Sequence, residues 1–483
     1  MLLKGRVGIV TALAVASLFP VSSGLTAVAS AQATSPAVGQ DSSVTPIARF
    51  LQQTMDRLQF QQVLDLAPPS SPQFRSLDLS VDKEAATPAQ RQQMYAAATN
   101  PQPIVQQPQI NATILELDRA GRIVSSGTVL MSPQYPNGIV VPVDQNLATD
   151  QINWTQWDDL GWYANHGVGT VDVVPGRTNA PIQFMLPYPA SVLKLMVAFG
   201  VLRLADQGVI SLDDAYDYQP TSTSSVSLCG STSSNTVRSY LDASLTWSSD
   251  PASCALIKLL WDHDAITGLN QEFQDLGLQT LHLEGTNPAT GGHWSNPITM
   301  SSLDTAKLLA LINGGPGTLW TAPDGTPVTR AVLSASSRRF FMNELGQQGW
   351  NWMLSTTNYC DAAYPAPGIP QVTAQRWIAA DGTVDINGEN FGRNVQPCNQ
   401  AAQVTFAHKP GWVSNSGADA GIVRSLPGQA YRHYIIAVFS NLGDQYVDPG
   451  RPATPPGTVT PWYTQKFAQL GRAIDQWEAA HSG

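Results

Sequence analysis

The stretch PYPASVLKLMVAFGVLRLADQG, residues 187–208, combines a long apolar run with a serine at position 191 and a lysine at position 194. Lysine is rare in this chain, which contains only seven. Pro189 precedes the run and suits the start of a helix, so we expect Ser191 in the first turn and Lys194 on the same face one turn later. The two residues are either a stray polar pair at the exposed end of a core helix or a nucleophile with its base.

The chemistry of such a pair depends on desolvation. A serine hydroxyl is a weak nucleophile at neutral pH, and a lysine that loses its charge through burial can accept the hydroxyl proton. The apolar neighbours Val192, Leu193, Leu195 and Met196 supply low-polarity surroundings. The positive end of the helix dipole favours the neutral amine and stabilises an oxyanion above the serine.

The serine-x-x-lysine spacing alone is not specific, because Ser80-Val81-Asp82-Lys83 has it too, in a polar stretch without an apolar helix. Two downstream segments favour the pair at 191 and 194. Ser248-Ser249-Asp250 precedes an apolar helix in LTWSSDPASCALIKLLWD. Lys409 lies on a predicted strand in FAHKPGWV and is followed by a glycine. The ordered trio therefore favours a nucleophile with its base.

These three segments, in this order, resemble the motifs of the penicillin-recognising serine hydrolases, that is, class A β-lactamases and D,D-peptidases. The resemblance covers roughly residues 111–483. It implies an antiparallel sheet flanked by helices, with an all-α subdomain. It also implies that Ser191 is acylated, that Lys194 is its general base, and that Ser248 passes a proton to the departing amide nitrogen.

The resemblance implies substrate-binding roles for the late strand. Lys409 would direct positive charge toward a substrate carboxylate and hold Ser248 in place. Gly411 precedes Trp412, and the backbone N–H groups of Trp412 and Ser191 would form an oxyanion hole.

Two positions depart from the family pattern. Asp250 stands where the family usually has asparagine, and an anion beside Lys194 favours the charged form of the amine and makes it a poorer base. A register shifted to Ser249-Asp250-Pro251 restores the aspartate but places proline at the asparagine position, so we prefer Ser248, which puts PASCAL on the helix pattern. Pro410 replaces the usual threonine or serine, which removes a hydroxyl for the substrate carboxylate and one strand donor.

A deacylating base separates β-lactamases, which free themselves by water attack, from enzymes that stay acylated. Glu284, in LHLEGTNPATGGHW, lies 36 residues after Ser248 and just before the predicted helix SSLDTAKLLALI, where the family's Ω-loop glutamate falls. Asn287 is its candidate companion, although the spacing between them is one residue shorter than usual. The alternative is a solvated loop glutamate.

The chain has four cysteines: Cys229, Cys254, Cys360 and Cys398. An even number in an exported chain predicts two disulfides, and sequential pairing is the simplest arrangement. The second pair lies in a segment at about 313–405 that is longer than the resemblance requires. This insertion either forms a rim over the site or is an inert surface loop.

The first 33 residues predict export. Lys4 and Arg6 precede an apolar run, and Ala31-Gln32-Ala33 is a cleavage signal, with Ala29-Ser30-Ala31 as an alternative. The run is shorter than the roughly 20 residues of a membrane span, so an uncleaved anchor is the less favoured alternative. We therefore expect a secreted or periplasmic protein of the cell envelope, without a stable membrane span.

The rest of the chain predicts an N-terminal extension and one large domain. Residues 34–110 are rich in glutamine and proline and contain one amphipathic helix, within Pro46–Ala67. Residues 111–483 begin with a hairpin, continue through helices, and end with three strands and a closing helix. This order predicts an α+β fold with a mainly antiparallel sheet.

Composition limits the partners. Charged residues make up 13% of the chain and the net charge is -10, so no basic surface for nucleic acid is evident. The cysteines and histidines lack metal-site spacing, so we expect neither a metal nor another cofactor. We expect an acyl-serine hydrolase that acts on a β-lactam or a peptidoglycan stem peptide. The alternatives are a D,D-carboxypeptidase or transpeptidase with slow deacylation, and a catalytically weak binding protein on the same fold.

Overall fold

A computed structural model describes residues 44–65, 102–104, 107–158, 167–220, 228–294, 297–362, 366–450 and 464–481. The predicted export segment and the second serine-x-x-lysine match at Ser80 lie outside these residues. Among the described residues, no helix has both the length and the apolar character needed to cross a bilayer.

Helices of the described part of the chain lie on both faces of a central sheet. Their bounds are α1 Pro46–Leu58, α2 Lys194–Asp206, α3 Val237–Thr246, α4 Asp250–Asp262, α5 Ala265–Asp275, α6 Ser302–Asn313, α7 Ala335–Gly346, α8 Gln396–Gln400 and α9 Lys466–His481. Local sequence explains the bounds of α6. Ser301 Oγ accepts a hydrogen bond from Asp304 N–H at 3.2 Å, and Gly314 ends the helix with a left-handed φ of +71°.

The central sheet has the order β4-β5-β6-β1-β2-β3, and all its pairs are antiparallel. Its strands are β1 Ile110–Leu117, β2 Ile123–Ser132, β3 Tyr135–Val140, β4 Val404–Val413, β5 Ser416–Ser425 and β6 His433–Ser440. The predicted hairpin and the three predicted late strands are therefore present. The prediction of an α+β fold on a mainly antiparallel sheet is confirmed.

Short strands outside the central sheet form smaller sheets. Leu64–Asp65 pairs with both Gln102–Pro103 and Tyr446–Val447. The two-stranded pairs are Ile152–Thr155 with Ile182–Met185, Ala215–Tyr218 with Ser233–Thr236, Thr286–Asn287 with His293–Trp294, Thr318–Thr321 with Pro327–Thr329, and Thr383–Ile386 with Glu389–Asn394.

Both faces of the sheet are buried, and strand β6 shows how. Ile435, Ala437 and Phe439 belong to the apolar cluster that contains the helix α2. Tyr434 and Ile436 belong to a second cluster, which contains side chains of α1 and α9. Because successive strand residues point to opposite faces, a strand covered on both sides is apolar along its whole length.

The predicted amphipathic helix of the N-terminal extension is part of this second cluster. It contributes Ile47, Leu51 and Met55 to the core that covers β1 and β2. Gly127 on β2 allows the close approach, because a Cβ atom there would lie 2.7 Å from Ala48 Cα.

Helix α2 belongs to the first cluster, the one that contains Ile435, Ala437 and Phe439. Its residues Lys194 to Leu202 are all buried. Gly200 lets α5 pack against it, because a Cβ atom at that position would lie 2.6 Å from Leu269 Cδ2. The apolar run in residues 187–208 is therefore a core helix, as its sequence predicts.

The cysteines pair sequentially, as Cys229–Cys254 and Cys360–Cys398, which confirms the predicted arrangement. The first disulfide joins the segment before α3 to helix α4. The second closes a segment between α7 and β4.

A buried ion pair ties the C-terminal helix α9 to the segment before β6. Arg432 and Asp475 are each 1% exposed, and the guanidinium contacts the carboxylate at 2.9 and 3.2 Å. Tyr434 Oη donates to the same carboxylate at 3.3 Å. Burial raises the pKa of Asp475, against the opposing effect of Arg432. The carboxylate therefore depends on Arg432 to remain charged.

Replacing this arginine should strongly destabilise the fold. We expect Arg432→Met to lower the free energy of unfolding by about 3–5 kcal/mol, because it leaves a buried carboxylate without its counter-ion. The loss should be smaller at pH 5 than at pH 8. An acid whose pKa is raised in the folded state contributes stability at low pH that is lost as pH rises. Urea unfolding at both pH values measures this.

The double variant Arg432→Met/Asp475→Leu should recover most of the loss, because neither member of the pair is then left buried without its counter-ion. Arg238→Met is the surface control, since Arg238 pairs with Asp213 at side-chain exposures of 47% and 76%. Its cost should stay below about 1 kcal/mol. Equal losses for Arg432→Met and Arg238→Met would contradict a stabilising role for the buried pair.

Candidate active site

Ser191 lies in a single 3₁₀ turn, Ala190–Leu193, that continues into α2 at Lys194. Ala190 has a left-handed φ of +45°, which costs a non-glycine residue about 1–3 kcal/mol and is a feature of functional sites. Ser191 itself is only 1% exposed. The predicted position at the start of the helix is therefore correct, with 3₁₀ rather than α geometry in the first turn.

Lys194 is completely buried and its ammonium nitrogen lies among four oxygen atoms. Nζ is 2.9 Å from Ser191 Oγ and 2.9 Å from Ser248 Oγ. It is 2.6 Å from the Ser248 carbonyl oxygen and 2.6 Å from Asp250 Oδ1. The serine and the lysine of residues 187–208 therefore contact each other, and the second serine segment contacts the lysine.

The four contacts suit a neutral amine as well as an ammonium group. A neutral lysine has two N–H donors and one lone pair. The Ser248 carbonyl and the Asp250 carboxylate can only accept, so they occupy the two N–H groups. The lone pair is then left for a serine hydroxyl. This arrangement lets Ser191 Oγ donate its proton to Lys194.

Ser248 bridges the two buried lysines. Lys409 Nζ lies 2.7 Å from Ser248 Oγ and 2.8 Å from the Pro410 carbonyl oxygen. Ser248 has a left-handed φ of +67°, the second such strained position beside the cluster. A hydroxyl held between two amines can receive a proton from one side and deliver it elsewhere.

The structure also distinguishes the two registers of the serine motif. Ser249 Oγ accepts a hydrogen bond from Ala252 N–H at 3.3 Å and caps α4, so it has a structural role. Ser248 is the serine that contacts both lysines. Asp250, 3% exposed at the first position of α4, forms a buried ion pair with Lys194.

Strand β4 approaches the serine closely at Gly411. A Cβ atom on Gly411 would lie 2.5 Å from Ser191 N and 2.8 Å from Val192 N. Only glycine fits there, because backbone atoms cannot move aside as a flexible side chain could. The close approach places the backbone of residues 411–412 beside Ser191, as an oxyanion hole shared by Ser191 and Trp412 requires.

The segment after α7 is hydrogen-bonded to the residues that precede Ser248. Gln348 Nε2 donates to the Leu245 carbonyl at 2.8 Å, Gly349 N–H to Thr246 at 2.7 Å, and Trp350 Nε1 to Trp247 at 2.8 Å. These three carbonyls belong to the residues just before Ser248. The left-handed Ser248 is thus held in place by residues 348–350.

The same segment packs against strand β4 through aromatic rings. The Trp352 ring lies 3.7 Å from the Trp412 ring, centroid to centroid, and 4.7 Å from that of Trp350. Phe391 packs edge-on against Trp350 and Trp352, at 6.0 and 5.9 Å. The disulfide-containing insertion therefore contacts residues next to Ser248 and on β4, which argues against an inert surface loop.

A buried histidine joins the insertion to β4. His408 and Asp419 are both fully buried, and His408 Nδ1 lies 2.8 Å from Asp419 Oδ1. Its Nε2 lies 2.9 Å from Asn351 Oδ1, and Leu354 N–H donates to Asp419 Oδ2 at 3.2 Å. His408 immediately precedes Lys409 in the chain. Its partners come from distant segments, so no short motif identifies it.

Glu284 lies apart from the contacts that join Ser191, Lys194 and Ser248. Its side chain is 57% exposed and lies 3.5 Å from His282 Nδ1. The Asn287 side chain accepts from Ala289 N–H at 2.9 Å and caps a short 3₁₀ turn. The predicted deacylating role of Glu284 thus receives no support from its position.

The same loop brings an aromatic residue to the site. The Trp294 ring centroid lies 6.0 Å from Lys194 Nζ, and its Nε1 donates to Tyr188 Oη at 2.9 Å. The sequence predicts neither Trp294 nor Tyr188 as a site residue, because a single tryptophan or tyrosine does not form a recognisable motif.

Among the described residues, one group of side chains has a spacing suited to a metal ion: Cys360, Asp361 and Cys398. Its two sulfur atoms form a disulfide and so offer no thiolate ligand.

Residues 186–357 match the model of the beta-lactamase enzyme family. The matched segment contains Ser191, Lys194 and Ser248, and it ends before Lys409. A comparison with curated protein sequences gives no match.

Solved structures are similar over most of their own length. PBP-A has 18% identity over 60% of this chain and 80% of that chain, with a TM-score of 0.36. A beta-lactamase from Chitinophaga pinensis has 17% identity over 60% and 85%, with a TM-score of 0.35. A beta lactamase from Xanthomonas campestris pv. campestris has 12% identity over 77% and 91%, with a TM-score of 0.37.

The similarity to this family rests on the sequence match and not on these structural overlaps. That match shows that the segment that carries Ser191, Lys194 and Ser248 is similar to the beta-lactamase enzyme family.

Proposed function

We propose that the protein is an exported acyl-serine hydrolase that attacks the amide bond of a β-lactam or of a peptidoglycan-type peptide through Ser191. The observation that carries the proposal is the 2.9 Å contact between Ser191 Oγ and the buried Lys194 Nζ. The family match over residues 186–357 supports the reaction class.

Acylation follows from the contacts of the cluster. Neutral Lys194 accepts the proton of Ser191 Oγ, which forms a bond to the amide carbonyl carbon. The C–N bond then breaks, and Ser248 Oγ donates its proton to the departing nitrogen. Ser248 is reprotonated by Lys194, 2.9 Å away. The net result is an ester on Ser191 and a neutral amine, with Lys194 and Ser248 back in their starting protonation states.

Charge stabilisation comes from β4 and the start of α2. The backbone N–H groups of Ser191 and Trp412 stabilise the oxyanion that forms at the carbonyl. Lys409 supplies positive charge for a substrate carboxylate and holds Ser248 Oγ at 2.7 Å.

Two residues favour a second candidate function, a catalytically weak binding protein of the cell envelope. Asp250 stabilises the ammonium form of Lys194 at 2.6 Å, so a smaller fraction of the lysine is available as a base. Pro410 offers no hydroxyl to the substrate carboxylate. Both reduce the rate of acylation, but neither removes the nucleophile.

Export is part of the proposal. The N-terminal cleavage signals at Ala31 and Ala33 and two disulfides in the structure support it, because disulfides persist mainly outside the cytosol. The mass of the mature chain recovered from culture medium or periplasm identifies the cleavage point.

Fluorescent penicillin tests the nucleophile. The wild-type chain should form a covalent adduct, and Ser191→Ala should abolish it, because Ser191 is the hydroxyl beside Gly411, whereas Ser248, the second hydroxyl on Lys194, is held by Lys409. Intact mass spectrometry checks the stoichiometry.

Ser80→Ala is the matched control, since it alters the other serine-x-x-lysine match and should leave labelling intact. An adduct that persists in Ser191→Ala would remove this residue from the mechanism. Absence of labelling in the wild-type chain would favour the binding protein.

A second prediction concerns Asp250. Asp250→Asn keeps an oxygen acceptor for Lys194 but removes the negative charge, so the neutral fraction of the amine should rise. A full charge at contact distance changes a protonation equilibrium by about tenfold or more. We expect the acylation rate at neutral pH to rise by about the same factor, with the pH profile displaced to lower pH.

Stopped-flow measurement of acylation from pH 6 to 9 tests this prediction. Asp262→Asn is the control on the same helix, because Asp262 pairs with the partly exposed Lys258 at 2.7 Å, away from the serines. If Asp250→Asn acylates more slowly while remaining folded by circular dichroism, Asp250 assists the base instead of restraining it.

A further inference from the structure

Trp294 lies over the Lys194 side of the site. Its side chain is 4% exposed and its ring faces Lys194 Nζ at 6.0 Å, a cation–π distance. The indole N–H donates to Tyr188 Oη, three residues before Ser191, so the two aromatic side chains form a joined surface. An apolar plane next to the amine disfavours a water molecule, which needs two or more polar partners.

The loop that carries Trp294 is fixed on helix α4. A Cβ atom on Gly292 would lie 2.3 Å from the Cys254 carbonyl oxygen and 2.9 Å from Lys258 N. The buried Tyr218 donates its hydroxyl to the Gly291 carbonyl at 2.7 Å. Cys254 itself is held by a disulfide to Cys229. The position of Trp294 is therefore set by rigid contacts on the same helix that presents Asp250 to Lys194.

The carboxylate of this loop, which belongs to Glu284, faces solvent. Glu284, ten residues before Trp294, is 57% exposed and contacts His282. The loop thus presents an indole to Lys194, while its acid faces solvent.

We propose that Trp294, supported by Tyr188, excludes the hydrolytic water from the acyl-enzyme, so that the protein retains its acyl group and acts as a penicillin-binding enzyme of the peptidase type. The inference rests on the proposed function, because it concerns the ester that acylation forms on Ser191.

The chemistry of deacylation explains the effect. A water oxygen must bond to the ester carbonyl carbon while a base takes one of its protons, and the C–Oγ bond then breaks as Ser191 Oγ recovers a proton. The base must be within hydrogen-bond reach of that water. In the proposed acyl-enzyme the indole fills the space next to Lys194, and Asp250 lowers the fraction of neutral lysine that can act as the base. Both the water and its base are thereby restricted.

A pulse-chase experiment measures retention. The full-length mature chain is labelled with fluorescent penicillin, excess unlabelled penicillin is added, and the adduct is followed by gel and intact mass. The wild-type adduct should persist through the chase. Trp294→Ala opens the approach and should accelerate loss of the adduct by about tenfold or more.

Two variants distinguish exclusion of water by the Trp294 ring from a general loss of stability. Trp294→Phe keeps a ring over Lys194 but loses the hydrogen bond to Tyr188, and it should retain the adduct as the wild type does. Trp320→Ala removes another buried tryptophan that covers a lysine, since the Trp320 ring lies 4.9 Å from Lys307 Nζ. It should cost stability without changing the rate of adduct loss.

Glu284→Gln completes the test and carries little risk to folding, because the side chain is exposed. The adduct lifetime should not change. If the wild-type adduct is lost rapidly and Glu284→Gln prolongs it, Glu284 is the deacylating base and the inference about Trp294 is wrong, while the acyl-serine function stands. If the wild type forms no adduct, the proposed function itself fails.

Discussion

The buried ammonium group of Lys194 needs compensation for its lost hydration, and the arrangement of the site follows from that need. Four oxygen atoms supply it: two hydroxyls, one carbonyl and the Asp250 carboxylate. Transfer of a lysine charge to a protein interior without such partners costs several kcal/mol. The partners come from the 3₁₀ turn before α2, from the segment between α3 and α4, and from the first residue of α4. The same contacts that stabilise the charge therefore also bring a nucleophile and a proton carrier to the amine.

Two strained backbone positions accompany the contacts that bring these hydroxyl groups to Lys194. Ala190 and Ser248 both adopt left-handed backbone conformations, and each lies at or next to a hydroxyl that contacts Lys194. Such conformations persist only where surrounding contacts outweigh their cost. For Ser248 the contacts are visible: three hydrogen bonds from residues 348–350 reach the carbonyls that precede it. Next to Ala190, the backbone of Ser191 lies against Gly411 of β4.

Local patterns in the sequence predicted the framework of the site. Spacing along one helix placed Ser191 and Lys194 together, and alternation with turn residues predicted the hairpin and the three late strands. The preference for Ser248 over Ser249 agrees with the cap that Ser249 forms. The role of Glu284 was predicted from its distance along the chain and stays a prediction, because chain distance does not determine the path of a loop. Trp294, His408 and Trp350 act through partners 57 to 106 residues away, and no periodicity encodes such contacts.

The segment from Gln348 to Trp352 contacts two parts of the site, one at residues 245–247 and the other at Trp412. These parts belong to different elements, helix α3 with the residue after it and strand β4, and the segment joins them. A change of side-chain size within the segment therefore acts on Trp412 and on Ser248 together, because residues 348–350 hold the backbone that precedes Ser248. Substitutions in the disulfide-containing insertion can thus adjust the reaction rate while every residue that transfers a proton is kept.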